Sequence, residues 1–271
     1  MILFPNCKIN LGLHILRKRN DGFHDLATVF YPIPLCDAQE IIETKDSEES
    51  SLTTSGFEIG GNPEENICLK AYHLLKKDFT IPSVKIHLHK AIPIGSGLGG
   101  GSADGAFTLL LLNKKFNLNI PEERLMNYAL QLGSDCPFFL KNKVCYATQR
   151  GEIMREINPD LSNYKIVVIY PGIKVNTAWA FSKIHPNENR ISILEIMQQP
   201  VESWKNNLIN DFESAIFEEH PSIKEIKEQL YKNGAVYASM SGTGSSVYGL
   251  FKKTVTPVFN FAGNYFMKWF K

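Results

Sequence analysis

The stretch "PIGSGLGGGSADGA" (93–106) places six glycines in fourteen positions and runs directly into the apolar segment "FTLLLLN". Glycine loses more backbone entropy on folding than any other residue, so a cluster this dense has a conformational task. Successive glycine N–H groups can curl into a concave nest with no Cβ to hold a phosphate off. A helix starting near Ser102 and Ala103 would aim its positive end at the same point. The candidate cradle for a nucleotide's polyphosphate therefore comprises Pro93, Ile94, Gly95, Ser96, Gly97, Leu98, Gly99, Gly100, Gly101, Ser102 and Ala103. Ser102 is the expected N-cap of the helix.

Two other glycine-rich loops fit less well. A Walker loop needs GxxxxGK[ST], and no lysine follows these glycines. A dinucleotide fingerprint GxGxxG does match at Gly95, Gly97 and Gly100, but that loop follows a fully buried parallel strand. Here "SVKIHLHK" alternates, with Val84, Ile86 and Leu88 on one side and Lys85, His87 and His89 on the other. That pattern predicts a half-buried strand, and Pro93 interrupts its exit.

The elements around the loop follow from pattern. "NICLKAYHLLKKDF" sets Ile67, Ala71, Leu74 and Leu75 on one helical face. "PEERLMNYALQLG" carries Pro and acids in its first turn and Gly133 at its end, which predicts a second helix. "YKIVVIYP" predicts a buried strand. "SIKEIKEQLYKNG" opens with a Ser222/Glu225 capping-box pattern and closes on Gly234. The tail reads strand, glycine turn ("SGTGSS"), strand. The polar stretch "ETKDSEESSLTTSG" (43–56) reads as an exposed loop or hairpin arm. Strands and helices mix without regular alternation, which makes the chain α+β.

Composition excludes several classes. The 271 residues are 44% hydrophobic and 21% charged, with a net charge of +1. This is a globular composition with no general attraction to nucleic acid or anionic membrane. Any bound anion must be held by a local site. Five scattered cysteines without a CxxC argue against a disulfide framework or zinc site and fit a reducing compartment. "MILFPNCKIN" lacks the n-region and h-region of a secretory signal, and no apolar run is long enough to span a bilayer. The expectation is a cytoplasmic protein with no nucleic-acid or membrane partner and no resident protein metal site.

"PIGSGLGGGSADGA" closely resembles the ATP-binding motif of the galacto-, homoserine, mevalonate and phosphomevalonate (GHMP) kinase superfamily. The likeness extends through "CKINLGLHILRKRNDGFHDLATVF", "LGSDCPFF", "NDFE" and "SMSGTGSSVYGLF", in the family's order and spacing. It points to the branch that phosphorylates the 2-hydroxyl of 4-diphosphocytidyl-2-C-methyl-D-erythritol in non-mevalonate isoprenoid synthesis. The resemblance implies a two-domain fold: a ribosomal-protein-S5-like N-terminal domain (1–158) and a ferredoxin-like C-terminal domain (159–271). It also implies ATP and Mg²⁺ as cofactors and a small-molecule substrate, the cytidine diphosphate-linked methylerythritol. Monomer and homodimer both stay open.

The same resemblance assigns residues. Asp135 lies just past the helix end at Gly133. There a carboxylate would accept the substrate hydroxyl's proton or orient that hydroxyl, and the two roles stay open. Lys8 would lower the hydroxyl's pKa and steady developing charge. Asn10, two residues on along the strand, resembles a substrate contact. Ser102 would ligate magnesium or only cap the helix, and the turn Ser241 to Ser245 resembles a third motif facing the cleft. His24 matches the residue that hydrogen-bonds the cytosine edge. Phe23 and Phe181 match aromatics on the two faces of that ring, and Thr177 a nearby contact; each stack is worth about 1–3 kcal/mol.

Three features depart from the pattern. Phe23 stands where Tyr is common, Gln149 in "ATQRGE" stands where Gly is frequent, and the tail "VFNFAGNYFMKWFK" is unusually aromatic. The tail reads as rings packed on their own domain rather than an amphipathic membrane surface. The rival functions are a relative acting on homoserine or mevalonate, and a non-catalytic ATP sensor of the same fold. "DGFH" discriminates against the first, and the Lys8 and Asp135 pair against the second.

Overall fold

The computed structural model describes residues 1–44, 49–261 and 265–271. Residues 45–48 of the polar stretch and 262–264 of the aromatic tail lie outside them. Strands β1 (Ile2–Leu3), β2 (Asn6–Lys18), β3 (His24–Cys36), β4 (Ala38–Glu43) and β5 (Ser51–Gly56) precede helix α1 (Ile67–Lys76). Strand β6 (Val84–Lys90) leads through the glycine-rich stretch into α2 (Gly100–Lys115), then α3 (Glu122–Leu132) and α4 (Cys136–Lys141). Strands β7 (Cys145–Gln149), β8 (Ile153–Glu156) and β9 (Tyr164–Tyr170) follow, then helices α5 (Thr177–Ser182), α6 (Ile193–Met197), α7 (Glu213–Glu219) and α8 (Pro221–Lys232). Strands β10 (Tyr237–Met240), β11 (Val247–Lys252) and β12 (Phe266–Phe270) complete the α+β fold.

The chain forms two compact units. One comprises Met1–Lys8, Pro32–Ile94 and Gly99–Lys143; the other comprises Ile9–Tyr31, Gly95–Leu98 and Val144–Lys271. In the first, the sheet order is β1-β4-β6-β5. The alternation of β6 is the two faces of this sheet: Val84, Ile86 and Leu88 are buried, and Lys85, His87 and His89 are exposed. Helices α1, α3 and α4 pack on α2, whose Ala103, Ala106, Leu109, Leu111 and Leu112 are fully buried. Each such leucine contributes about 1.5–3 kcal/mol of burial. The β5 strand pairs parallel with β6, and α1 forms the crossover that a parallel pair requires. Residues 51–56 are thus an edge strand, which corrects the loop or hairpin arm expected from their polarity.

In the second unit, β9 is paired with β11 on one side and β12 on the other, with β10 outermost beside β11. Helix α8 packs on β10 and β11, burying Ile223, Ile226 and Leu230 beside Val167, Ile169 and Phe251. The aromatic tail behaves as expected where it is described. Phe259 and Trp269 lie 6.1 Å apart and stacked, and the Phe251 ring is 6.0 Å from Phe259 and 5.4 Å from Trp269. The order β2-β3-β7-β8 forms a further sheet, most of whose residues lie in this unit.

Two helix starts differ from expectation. The α2 helix begins at Gly100 with Gly99 as its cap at φ +73°, so Ser102 sits inside the first turn rather than capping it. The α8 helix begins at Pro221 with His220 before it, and Ser222 and Glu225 form no capping box. Proline is suited to the first helical position because its missing N–H would have no partner there. Gly234 follows the helix at φ +93°, as its position predicts.

Candidate active site

In the first unit, the Lys8 Nζ lies 3.3 Å from the Asp135 Oδ2, with side-chain exposures of 4% and 34%. Asp135 stands at the N-cap of α4, yet its carboxylate makes no capping hydrogen bond among the described residues. It is therefore turned to Lys8 instead of serving its helix. Gly99 packs on the same lysine: a Cβ built there would lie 3.1 Å from the Lys8 Cε and 3.0 Å from the Phe139 ring. The start of α2 thus lies against the Lys8–Asp135 pair, with the Gly99 carbonyl receiving the Ala103 N–H at 2.9 Å. Burial pushes the Cys136 thiol, next to Asp135, up to about 12, against an opposing pull from Ser102 in that first turn. A cation, a carboxylate and a helix N-terminus in one place can bind an anion and orient or deprotonate a hydroxyl.

Behind this turn lies an ion cluster that sequence reasoning missed. The Lys90 Nζ is bonded to the Asp37 carboxylate and, at 2.7 Å, to the Asp104 Oδ2, all three being buried. The Asp37 Oδ1 also accepts the N–H groups of Ala91 and Ile92 at 2.6 and 2.8 Å. Lys90 and Asp104 bracket the glycine-rich stretch, so the cluster ties its entry to its exit. The two carboxylates exceed the one cation, and burial drives the Asp104 carboxyl up to about 8. A sequence signal existed: Lys90 continues the parity of Val84, Ile86 and Leu88, so it had to point inward and needed carboxylate partners.

Along the glycine-rich stretch, Gly95, Gly97 and Gly99 take φ of +67°, +78° and +73°, a backbone that side chains rarely adopt. In the second unit, Gly97 is packed directly on the turn Ser241 to Ser245. A Cβ at Gly97 would fall 2.2 Å from the Ser241 carbonyl oxygen and 2.8 Å from that of Gly244. The Ser241 hydroxyl donates to the Gly97 carbonyl at 2.9 Å, and the Ser246 N–H to the Ser96 carbonyl at 3.0 Å. Asn10, 1% exposed, joins the same assembly. Its backbone N–H meets the Ser241 hydroxyl at 3.3 Å, and its side-chain amide donates to the Thr28 hydroxyl at 2.9 Å.

The second unit also collects the aromatic candidates. The His24 and Phe181 rings stack at 5.1 Å and 25°, and the Phe181 ring meets Phe212 edge-on at 4.9 Å. Burial, then Lys18, lowers the His24 pKa, keeping the ring neutral at pH 7 and able both to donate and to accept. Phe23 is 50% exposed, with the Arg150 guanidinium 4.1 Å from its ring centroid. Thr177 opens α5, its hydroxyl 3.4 Å from that of Thr243 in the glycine turn. Gln149, before Arg150, holds φ +58°, the left-handed conformation that the more usual glycine adopts freely. A side chain holds that conformation at some cost.

Among the described residues there is no cluster of three or more His, Cys, Asp or Glu side chains able to hold a metal ion. No helix among them is long and apolar enough to cross a membrane.

Comparison with known proteins places these features in a family. The model of the GHMP kinases N terminal domain matches residues 66–143, and that of the GHMP kinases C terminal domain matches 193–264. The 4-diphosphocytidyl-2-C-methyl-D-erythritol kinase of Bacteroides fragilis (strain YCH46) is 53% identical over 252 residues, 93% of this chain and 92% of the relative. The enzyme of that name from Azobacteroides pseudotrichonymphae is 48% identical over 97% of this chain and 98% of its own. A crystal structure of 4-(cytidine 5'-diphospho)-2C-methyl-D-erythritol kinase aligns with a TM-score of 0.78 at 30% identity, covering 92% of this chain and 90% of that one. The Methanococcus jannaschii mevalonate kinase shares the fold at a TM-score of 0.67 and 17% identity.

Proposed function

The chain belongs to the GHMP kinases, in the branch of the 4-diphosphocytidyl-2-C-methyl-D-erythritol kinases, and from that premise we propose the reaction and its residues. The reaction is transfer of the γ-phosphoryl group of ATP to the 2-hydroxyl of 4-diphosphocytidyl-2-C-methyl-D-erythritol. The observation that carries this reading is the Lys8–Asp135 pair at 3.3 Å against the start of α2.

Phosphoryl transfer asks the protein mainly to hold the phosphates, offset their charge, and place the hydroxyl in line. In this reading the positive-φ glycines and the N–H groups of the first turn of α2 bind the phosphates. Asp135 holds the acceptor hydroxyl and takes its proton or orients it. Lys8 fixes that carboxylate and steadies the charge that develops on the acceptor oxygen. His24 reads the cytosine edge, Phe23 and Phe181 supply ring faces, Thr177 lies beside them, and Asn10 contacts substrate.

Mg²⁺ takes oxygen ligands, and the Ser102 hydroxyl, in the first turn of α2, is an oxygen donor of that kind. The Ser102 hydroxyl would hold it from the protein side. When bound, it offsets phosphate charge.

A phosphate-transfer assay with ATP and candidate alcohols tests the proposal. The cytidylyl alcohol should be phosphorylated, and homoserine and mevalonate should not. Nucleotide binding without any phosphorylated product would instead favour the sensor reading. Turnover of mevalonate or homoserine in place of the cytidylyl alcohol would refute the substrate assignment.

A further inference from the structure

The "NDFE" motif (210–213) has no role in the chemistry above, yet its Asn210 and Glu213 side chains converge on the second glycine turn and the strand entering it. Asn210 is 2% exposed, and both the nitrogen and the oxygen of its amide have backbone partners. Its Nδ2 donates to the Met240 carbonyl at 2.8 Å and to the Gly242 carbonyl at 2.9 Å, while its Oδ1 accepts the Phe212 N–H at 3.0 Å. The two carbonyls it grips flank Ser241, whose hydroxyl bonds the Gly97 carbonyl. Glu213 holds the strand entering the turn, accepting the Met240 N–H at 2.8 Å and the Ser239 hydroxyl at 3.1 Å, with Lys227 at 2.6 Å on its other oxygen.

The motif is itself pinned to β2. The Leu13 N–H bonds the Ile209 carbonyl and the Asp211 N–H bonds the Leu13 carbonyl, each at 2.9 Å. The Asp211 Oδ2 accepts the Ile15 N–H at 2.7 Å. Gly12 permits this approach: a Cβ there would lie 2.5 Å from the Leu208 side chain.

We propose that Asn210 is a positioning residue for phosphate binding, setting the carbonyls on either side of Ser241 so that this turn holds the Gly95–Leu98 backbone in its nucleotide-binding shape. Gly97 has only 2.2 Å of room for a Cβ against the Ser241 carbonyl, so a shift of the turn by a fraction of an ångström moves the loop. A side chain that touches no ligand thereby controls affinity for one. The inference rests on the proposed phosphotransferase reading.

The test compares wild type, Asn210→Ala and Asn210→Asp with Leu230→Ala, a core truncation under β11 that lowers stability without touching the turn. Binding of a non-hydrolysable ATP analogue with Mg²⁺ is measured by calorimetry, and steady-state KM and kcat are measured with the cytidylyl alcohol, all well below each variant's Tm. Both Asn210 variants should bind the analogue at least tenfold more weakly and raise KM for ATP. The KM for the cytidylyl alcohol should stay within about twofold, and Leu230→Ala should match wild type in both. Asn210→Asp should be no better than alanine, because its carboxylate opposes two carbonyl oxygens. Equal analogue affinity in wild type and Asn210→Ala, or the same loss in Leu230→Ala, would overturn the inference alone. A wild type that binds no nucleotide would overturn the phosphotransferase reading as well.

Discussion

The Asp135 carboxylate lies 3.3 Å from the buried Lys8 ammonium and leaves its own helix uncapped. An aspartate at an N-cap ordinarily accepts a backbone N–H from the first turn. Its diversion to a lysine accords with the catalytic role proposed for it. Asp135→Asn should therefore leave Tm within a few degrees of wild type while lowering kcat by about 10²–10⁴-fold, the usual range for a lost general acid–base group. Single-turnover kinetics with saturating ATP make the measurement; a kcat within threefold of wild type would remove Asp135 from the chemistry.

Two glycines separate packing from ligand contact. A Cβ on Gly101 would meet nothing within 4 Å, and its φ is not in the left-handed region. Gly101→Ala should therefore hold or raise stability, by about 0.5–1 kcal/mol from helix propensity. It should nonetheless raise KM for ATP tenfold or more if phosphate approaches that backbone. Gly97→Ala should lose both stability and nucleotide binding, because φ is +78° and a carbonyl lies 2.2 Å away. Thermal melts beside ATP titrations distinguish the two; unchanged ATP affinity in Gly101→Ala would move the phosphates away from the first turn of α2.

Much of this was readable in the chain, for local reasons. The glycine cluster, the alternation of β6 and the Gly133 and Gly234 stops express backbone geometry, which neighbouring residues encode. The failures are tertiary. Ser102 looks like a cap, but Gly99 takes that place because its left-handed backbone, pressed on Lys8 and Phe139, tolerates no side chain. Polarity made residues 43–56 look like an exposed loop or hairpin arm, while pairing with β6 makes 51–56 an edge strand. The grip of Asn210 on Met240 and Gly242 spans 30 and 32 residues, and no local pattern encodes such a partner.

In the proposed reading, the stacking of His24 on Phe181 gives base recognition a pH signature. Burial lowers the imidazole's pKa below its ordinary 6.5, so His24 is neutral throughout the range above that value. KM for the cytidylyl alcohol should be flat from pH 6.5 upward and rise only in more acid solution. His24→Ala should raise it about 5–150-fold, the equivalent of 1–3 kcal/mol for a lost buried hydrogen bond, without changing KM for ATP. A parallel rise in both constants would show general damage instead.

Two buried groups titrate in opposite senses, and each gives stability a pH dependence. His14 is 1% exposed, and its Nε2 has no hydrogen-bond partner among the described residues. Burial, then Arg190, pushes its pKa from 6.5 down to about 4, against an opposing pull from Asp211. The unfolded chain binds the extra proton between those values, so the contribution of His14 is present above 6.5 and is lost as pH falls toward 4. Asp104 is the reverse. Burial lifts it from 3.8 to about 8 against the pull of Lys90, so the folded chain holds the extra proton. Its contribution is full below about 4 and is lost as pH rises through 8. Between pH 4 and 6.5 the two slopes offset each other; from 6.5 to 8 only that of Asp104 remains. Below pH 6.5 the lowered His24 pKa acts in the same sense as that of His14, so wild-type Tm should not fall from pH 5 to 6.5 and should decline from 6.5 to 8. Asp104→Asn should flatten the decline, and His14→Phe should tilt the slope between pH 5 and 6.5 toward a falling Tm. An undiminished decline in Asp104→Asn would mean that the buried cluster carries its charge differently, with the proton held elsewhere than on Asp104.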